Sequence, residues 1–306
     1  MPEVHISRSM YRGRPSVVTE TRLIRAELVP ELGGKIVSLL YKPAGKEWLA
    51  DAGRRELARV PYGSPFAKAD MSGWDECFPT IDACAYPDPE RDIRLPDHGE
   101  LWSVPWTWSA SGDRLRMTAE GAAWPYSFSR TLIWLDDGAL RLDYEVRNRA
   151  AEPLRFLWAA HPQFAVTEPT RIVVPQADGP WLCVYGDRRY EAGRTYRWDP
   201  AEGIVVRPET TGEARKFYYA GKAEGWSRLQ GERSEAYVVC SVDAAQVPYL
   251  GVWIDEGAFN DRTVCALEPG IGYYDRLDRA AEGGTAGKVE PGGTAGWHLD
   301  LTFGRR

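Results

Sequence analysis

The 306-residue chain sets 38 Lys and Arg against 44 Asp and Glu, a formal net charge of −6. That balance leaves no basic footprint for nucleic acid or for an anionic membrane, and small neutral partners suit it better. The opening Met-Pro-Glu-Val-His-Ile-Ser-Arg has no apolar signal core and no later run approaches a bilayer-spanning length, so the expected place is the cytoplasm, with no membrane partner.

Short apolar or alternating runs recur along the first half: Leu23 to Val29, Lys35 to Tyr41, Trp102 to Trp108, Arg114 to Ala119, Phe128 to Leu135 and Ala139 to Val146. Each has strand length and β-rich composition. Asp136-Asp137-Gly138 reads as a hairpin turn that makes the last two runs antiparallel neighbours. The pattern continues through Arg155–Val166, Arg171–Val174, Ile204–Arg207, Lys216–Tyr219, Ala236–Ser241, Tyr249–Ile254, Val264–Glu268 and Trp297–Phe303. Only Asp51–Val60 and Tyr274–Glu282 suit helices, both short, so the class is mainly β. No linker composition divides the chain, and a single domain over 1–306 is expected. The loop-like tract from Pro61 to Pro96 is long enough to suggest a functional loop, and its aromatic residues argue for order.

Cys77, Cys84, Cys183, Cys240 and Cys265 form an odd, scattered set without a CxxC pair, and no HExxH occurs. They predict buried small hydrophobes rather than a disulfide framework or a zinc site, so neither metal nor cofactor is expected. The 13 Trp and 15 Tyr against 8 Phe are unusual. Flat faces with polar edges suit sugars, although large β sandwiches also use Trp in their cores.

Two runs carry the chemistry. Leu154 to Val166 reads as a core strand delivering His161, and Thr263 to Gly270 as a second apolar strand that ends in Glu268. A His and a Glu, each closing a buried strand and each followed by Pro, form a candidate acid and base pair. The bland readings are a core histidine bonded to backbone and a glutamate paired with Arg262 or Arg276. An acid following Val-Cys-Ala-Leu is costly to bury without partner or purpose.

Four patterns stand in order: Leu32-Gly33-Gly34-Lys35-Ile36-Val37-Ser38-Leu39; His98-Gly99-Glu100-Leu101-Trp102 with Trp106; Ala160-His161-Pro162-Gln163-Phe164; and Leu267-Glu268-Pro269-Gly270. The Gly33-Gly34 pair lacks the context of a phosphate loop and reads as a tight turn. In this order and spacing the chain resembles the aldose 1-epimerase (galactose mutarotase) family and its wider superfamily, from Leu32 to Pro291-Gly292. The resemblance implies a large antiparallel β sandwich with a sugar cleft on one curved face, His161 as general acid, Glu268 as general base, and His98 binding and polarising the sugar. The family's Asn-Arg pair has no match here. Its place is taken by Gly73-Trp74-Asp75-Glu76-Cys77-Phe78-Pro79-Thr80, and the family's hydroxyl-binding aspartate is not recognisable, the region Lys216 to Trp226 lying about where it would stand.

Asp75 and Glu76 are candidate acceptors for sugar hydroxyls, or partners of Arg91 or Arg94. Trp74, Trp102 and Trp253 are candidates for a stacking platform, each also suited to the core. His98 binds the sugar or shapes the turn before Gly99. Interconverting anomers needs a proton taken from O1 and one given to the ring oxygen. A carboxylate and an imidazolium on opposite sides of the sugar supply both, and the carboxylate is expected to keep the His charged. The leading reading is an aldose 1-epimerase-like isomerase with a small-molecule carbohydrate as partner. The alternatives are a non-catalytic carbohydrate-binding or sensing protein, or another carbohydrate isomerase or lyase built on Asp75 and Glu76. The sugar and the oligomeric state are left open.

Overall fold

The computed structural model describes residues 2–88 and 90–306. Among the described residues, two large antiparallel sheets of 13 and 9 strands pack face to face, and no helix is long and apolar enough to cross a membrane. Alternation places each strand. In Ala139–Asn148, Leu140, Leu142, Tyr144 and Val146 are buried while Asp143, Glu145 and Arg147 face outward. Such a strand turns one face to the core between the sheets, each fully buried aliphatic side chain contributing about 1.5–3 kcal/mol. It pairs with Tyr126–Asp136 across the turn read from Asp136-Asp137-Gly138, where Gly138 N donates to Asp136 Oδ1 at 2.7 Å.

The larger sheet runs, in its middle, Trp74–Cys77, Trp158–Pro162, Thr263–Ile271, Tyr249–Glu256, Glu213–Tyr219 and Trp181–Tyr185, each paired with the next. These strands differ from those of the smaller sheet. Trp74–Cys77 and Trp158–Pro162 are buried along their whole length, and so is Thr263–Ile271 up to its last residue. One face meets the core, and the other is covered by loops that enclose a cavity.

The run expected as one strand over Arg155–Val166 is broken into Leu154–Phe156, Trp158–Pro162 and Phe164–Ala165. The pieces take different partners: Gly287–Val289, then Trp74–Cys77 with Thr263–Ile271, then Thr263–Ile271 with a bridge from Phe164 to Leu49. Pro162, which has no N–H to donate, closes the middle piece. The expected helix over Asp51–Val60 is absent; side chains fix that segment instead. Asp51 pairs with Arg12 and Arg262, and Arg55 donates to the carbonyls of Ala67, Ala69 and Phe259. The second expected helix is present, over Leu277–Glu282.

Candidate functional site

Pleating decides which side chains share the covered face of the larger sheet, because cross-strand partners point the same way. The register pairs His161 with Asp75 and Ala159 with Cys77 on one side, and Ala159 with Gly270 on the other. Beyond these, Glu268 pairs with Gly251, Trp253 with Ala266, and Lys216 with Trp253. His161, Glu268, Trp253 and Lys216 therefore rise from four successive strands into one cavity of about 300 Å³. That is the small end of the ~300–1,000 Å³ range of small-molecule pockets. Gly251 keeps the floor open, since a Cβ there would stand 3.2 Å from Glu268 Oε2 and 3.0 Å from the Tyr218 ring. Two wider grooves, of about 460 and 680 Å³, lie away from these groups.

His161 and Glu268 stand side by side, Nε2 to Oε1 at 4.0 Å. The other glutamate oxygen is 2.8 Å from Lys216 Nζ. The same ammonium lies 2.8 Å from Asp275 Oδ1, which also accepts a 2.8 Å bond from the Tyr218 hydroxyl. The sequence alternatives of Arg262 or Arg276 as the partner of Glu268 give way to this lysine. His98 reaches the cavity from the loop. Its backbone has φ 59, its Nδ1 is 2.8 Å from Asp97 Oδ1, and Phe66 stacks on it with ring centroids 4.2 Å apart. Gly99 is required next to it: at φ 73, a Cβ would come within 2.1 Å of Phe78 O. Tyr185, Trp253 and Phe259 make an aromatic rim, with ring centroids 5.7 to 5.9 Å apart.

Burial sets the protonation. It pulls His161 well below the usual imidazole value, and the positive charges of His98, Lys216 and Lys35 act the same way. The expected charged His161 is therefore replaced by one that is neutral near pH 7, because burial, with Lys216 and Lys35 nearby, outweighs the carboxylate 4.0 Å away. Burial raises Glu268 despite that lysine. Burial would lower Lys216 too, but Asp275 and Glu268 outweigh it and hold the ammonium well above its usual value.

The other candidates fall elsewhere. Glu76 lies on the opposite face of its strand, in the core, bound by Arg130 at 2.7 Å, the Tyr144 hydroxyl at 3.0 Å and Trp158 Nε1 at 3.0 Å. Trp74 is fully buried among core rings. Asp75 shares the face of His161 but is held by Lys35 at 2.7 Å outside the cavity lining, and burial pushes its carboxyl up to about 6. Neither acid pairs with Arg91 or Arg94. Trp102 packs edge-on against Phe66, one layer behind the wall, and donates to Asp97 O.

Sequence reasoning passed over Lys216, Tyr218, Asp275, Asp97 and Phe66. The available signal was Arg215-Lys216 inside the strand Glu-Ala-Arg-Lys-Phe-Tyr-Tyr. Two adjacent cations there need two sets of partners. Arg215 takes Asp187 and Glu256 on one face, and Lys216 takes Glu268 and Asp275 on the other.

Solved structures share this architecture. A galactose mutarotase-like protein from Lactobacillus casei superposes with TM-score 0.71 at 17% identity, over 94% of this chain and 100% of its own. The fold is that of the galactose mutarotase-like proteins. A galactose mutarotase-like protein from Clostridium acetobutylicum gives TM-score 0.68 at 15% identity, over 100% and 99% of the two chains. A galactose mutarotase related enzyme from Lactobacillus acidophilus gives 0.68 at 13%, over 94% and 97%. No protein-family model and no curated protein sequence matches the chain. The galactose mutarotase-like fold accounts for the large antiparallel sheets; the identity of the side chains on the covered face belongs to this sequence.

Proposed function

We propose that the cavity is the active site of an aldose 1-epimerase-like isomerase acting on a free sugar, with Glu268 and His161 as its base and acid. The observation that carries the reading is their placement: one wall, adjacent strands, 4.0 Å apart, beneath an aromatic rim. O1 and the ring oxygen of an aldose are bonded to the same carbon, so two groups side by side reach both. This replaces the expected arrangement on opposite sides of the sugar. Glu268 Oε1 takes the O1 proton while His161 Nε2 gives one to the ring oxygen; the bond from C1 to the ring oxygen breaks and the carbonyl forms. After rotation about C1–C2 the same transfers in reverse close the ring on the other face. No redox step is needed.

Lys216 holds Oε2, which leaves Oε1 for the sugar, and is a positioning residue. His98, oriented by Asp97, donates to a sugar hydroxyl. Because burial holds His161 neutral, its protonated form is the scarce species, and the reaction is fastest on the acid side of the usual imidazole range.

The neutral His161 and the Lys216 ion pair also suit a second reading, a sugar-binding protein without catalysis. A reaction built on Asp75 and Glu76 has no such support, since each acid is already held by a cation outside the cavity. Polarimetry or NMR exchange on freshly dissolved aldoses decides between the two. Anomer exchange faster than buffer is expected; binding with no acceleration across the panel leaves the binder.

A further inference from the structure

We propose that the base of the cavity, just beneath its lining, also takes one soft divalent cation of the zinc class, on Cys77, His98 and His161, and that the bound ion inhibits by holding the free nitrogen of His161, so that the imidazolium acid cannot form. The inhibitory half rests on the catalytic reading above; the site itself does not.

Three observations meet there. Cys77 pairs with Ala159 and His161 with Asp75, so thiol and imidazole emerge on the same face of adjacent strands. With His98 arriving from the loop, one ligand atom from each of the three residues lies within 4.8 Å of the others. Zinc takes sulfur at about 2.3 Å and nitrogen at about 2.0–2.1 Å, so small side-chain rotations close that set.

The second observation is orientation. Asp97 Oδ1 at 2.8 Å holds His98 Nδ1, which leaves Nε2 to ligate, the carboxylate–histidine arrangement that fixes metal-binding imidazoles. The third is an unmet need: His161 is 5% exposed, and its Nδ1 is buried without a hydrogen-bond partner. A buried polar atom left in that state calls for a ligand.

A thiolate and two imidazoles select zinc or a similar borderline-soft ion over magnesium or calcium. On binding, the Cys77 S–H gives its proton to solvent and no electron changes hands. Three protein ligands leave a fourth position for water or a sugar hydroxyl. Cys77 has no part in the acid–base pair, which separates the metal from the reaction.

The test uses the purified chain stripped with a chelator and titrated with cobalt(II). One equivalent is expected to give a thiolate-to-cobalt charge-transfer band and tetrahedral visible bands, both removed by zinc. Cys77→Ser and Cys77→Ala should lose the charge-transfer band and weaken cobalt binding at least about tenfold. Zinc should slow wild-type mutarotation reversibly to chelator, while Cys77→Ala keeps basal turnover and escapes that inhibition. No charge-transfer band in wild type, or a band unchanged in both Cys77 variants, overturns the site. Zinc that binds through Cys77 yet leaves turnover intact overturns the inhibition. If the cobalt band depends on Cys77 and no sugar is turned over, the site stands and the catalytic reading falls.

Discussion

Glu76 and Glu268 are both buried, and their strands flank the same neighbour, Trp158–Pro162, in one sheet. They project from opposite faces. Glu76 enters the core, where Arg130, Tyr144 and Trp158 engage both of its oxygens. Glu268 enters the cavity, where Lys216 holds one oxygen and the other lies 4.0 Å from His161. Burial raises both carboxyls. The lesson is that depth alone does not mark a reactive acid. A satisfied carboxylate specifies packing, whereas one with an unsaturated oxygen facing open space can exchange a proton.

The largest expected effect breaks the second of these two acids. Glu268→Gln keeps shape and one hydrogen-bonding face but accepts no proton, and should slow anomer exchange roughly 10²–10⁴-fold while sugar binding, read by calorimetry, persists. Glu76→Gln should do the opposite. Leaving Arg130 uncompensated in the core costs about 3–5 kcal/mol in urea unfolding, with turnover per folded molecule unchanged. Equal loss of turnover in both variants would erase the distinction.

Lys216→Met sharpens the comparison, because it removes the cation that most restrains Glu268. The Glu268 carboxyl should rise further, and the acid limb of kcat/KM should move up by about 1–3 pH units. A merely structural lysine would change stability and leave that limb in place.

For wild type the two shifts give the sign of the pH profile. The imidazolium is lost as pH rises through a value well below 6.5, and the Glu268 carboxylate is lost as pH falls through a value above 4.5. The maximum of kcat/KM is therefore expected below pH 6.5. A plateau extending above pH 7.5 would exclude His161 as the acid. The smallest effect concerns the rim: Trp253→Ala should weaken sugar affinity by about 0.5–1.5 kcal/mol, read as KM.

The fold was legible because its signals are local. Alternation along Ala139–Val146, the turn at Asp136-Asp137-Gly138, and the absence of helical periodicity each need only neighbours in sequence. Strand breaks were less legible. The run Arg155–Val166 is uniformly strand-like, yet it changes partners at Leu157 and Gln163, which lie outside the three strands.

His161 and Glu268 stood out as polar residues closing apolar runs, and His98 as part of the pattern His98-Gly99-Glu100-Leu101-Trp102. Their separation and their charge states were not readable. Neither was Lys216, which could be named as part of a departure but not as the partner of a glutamate 52 residues away in a strand two places along the sheet.

The sequence by itself determined the β class, the hairpin and the residue types available for acid–base work. The tertiary structure alone decided which of Asp75 and Glu76 turned toward the covered face, that Cys77 came to lie beneath two histidines, and that His161 lost its charge. The reason is that adjacent residues of a strand point to opposite faces. Which face is core, and which neighbours share the other, is fixed by pairing register between strands far apart in the chain.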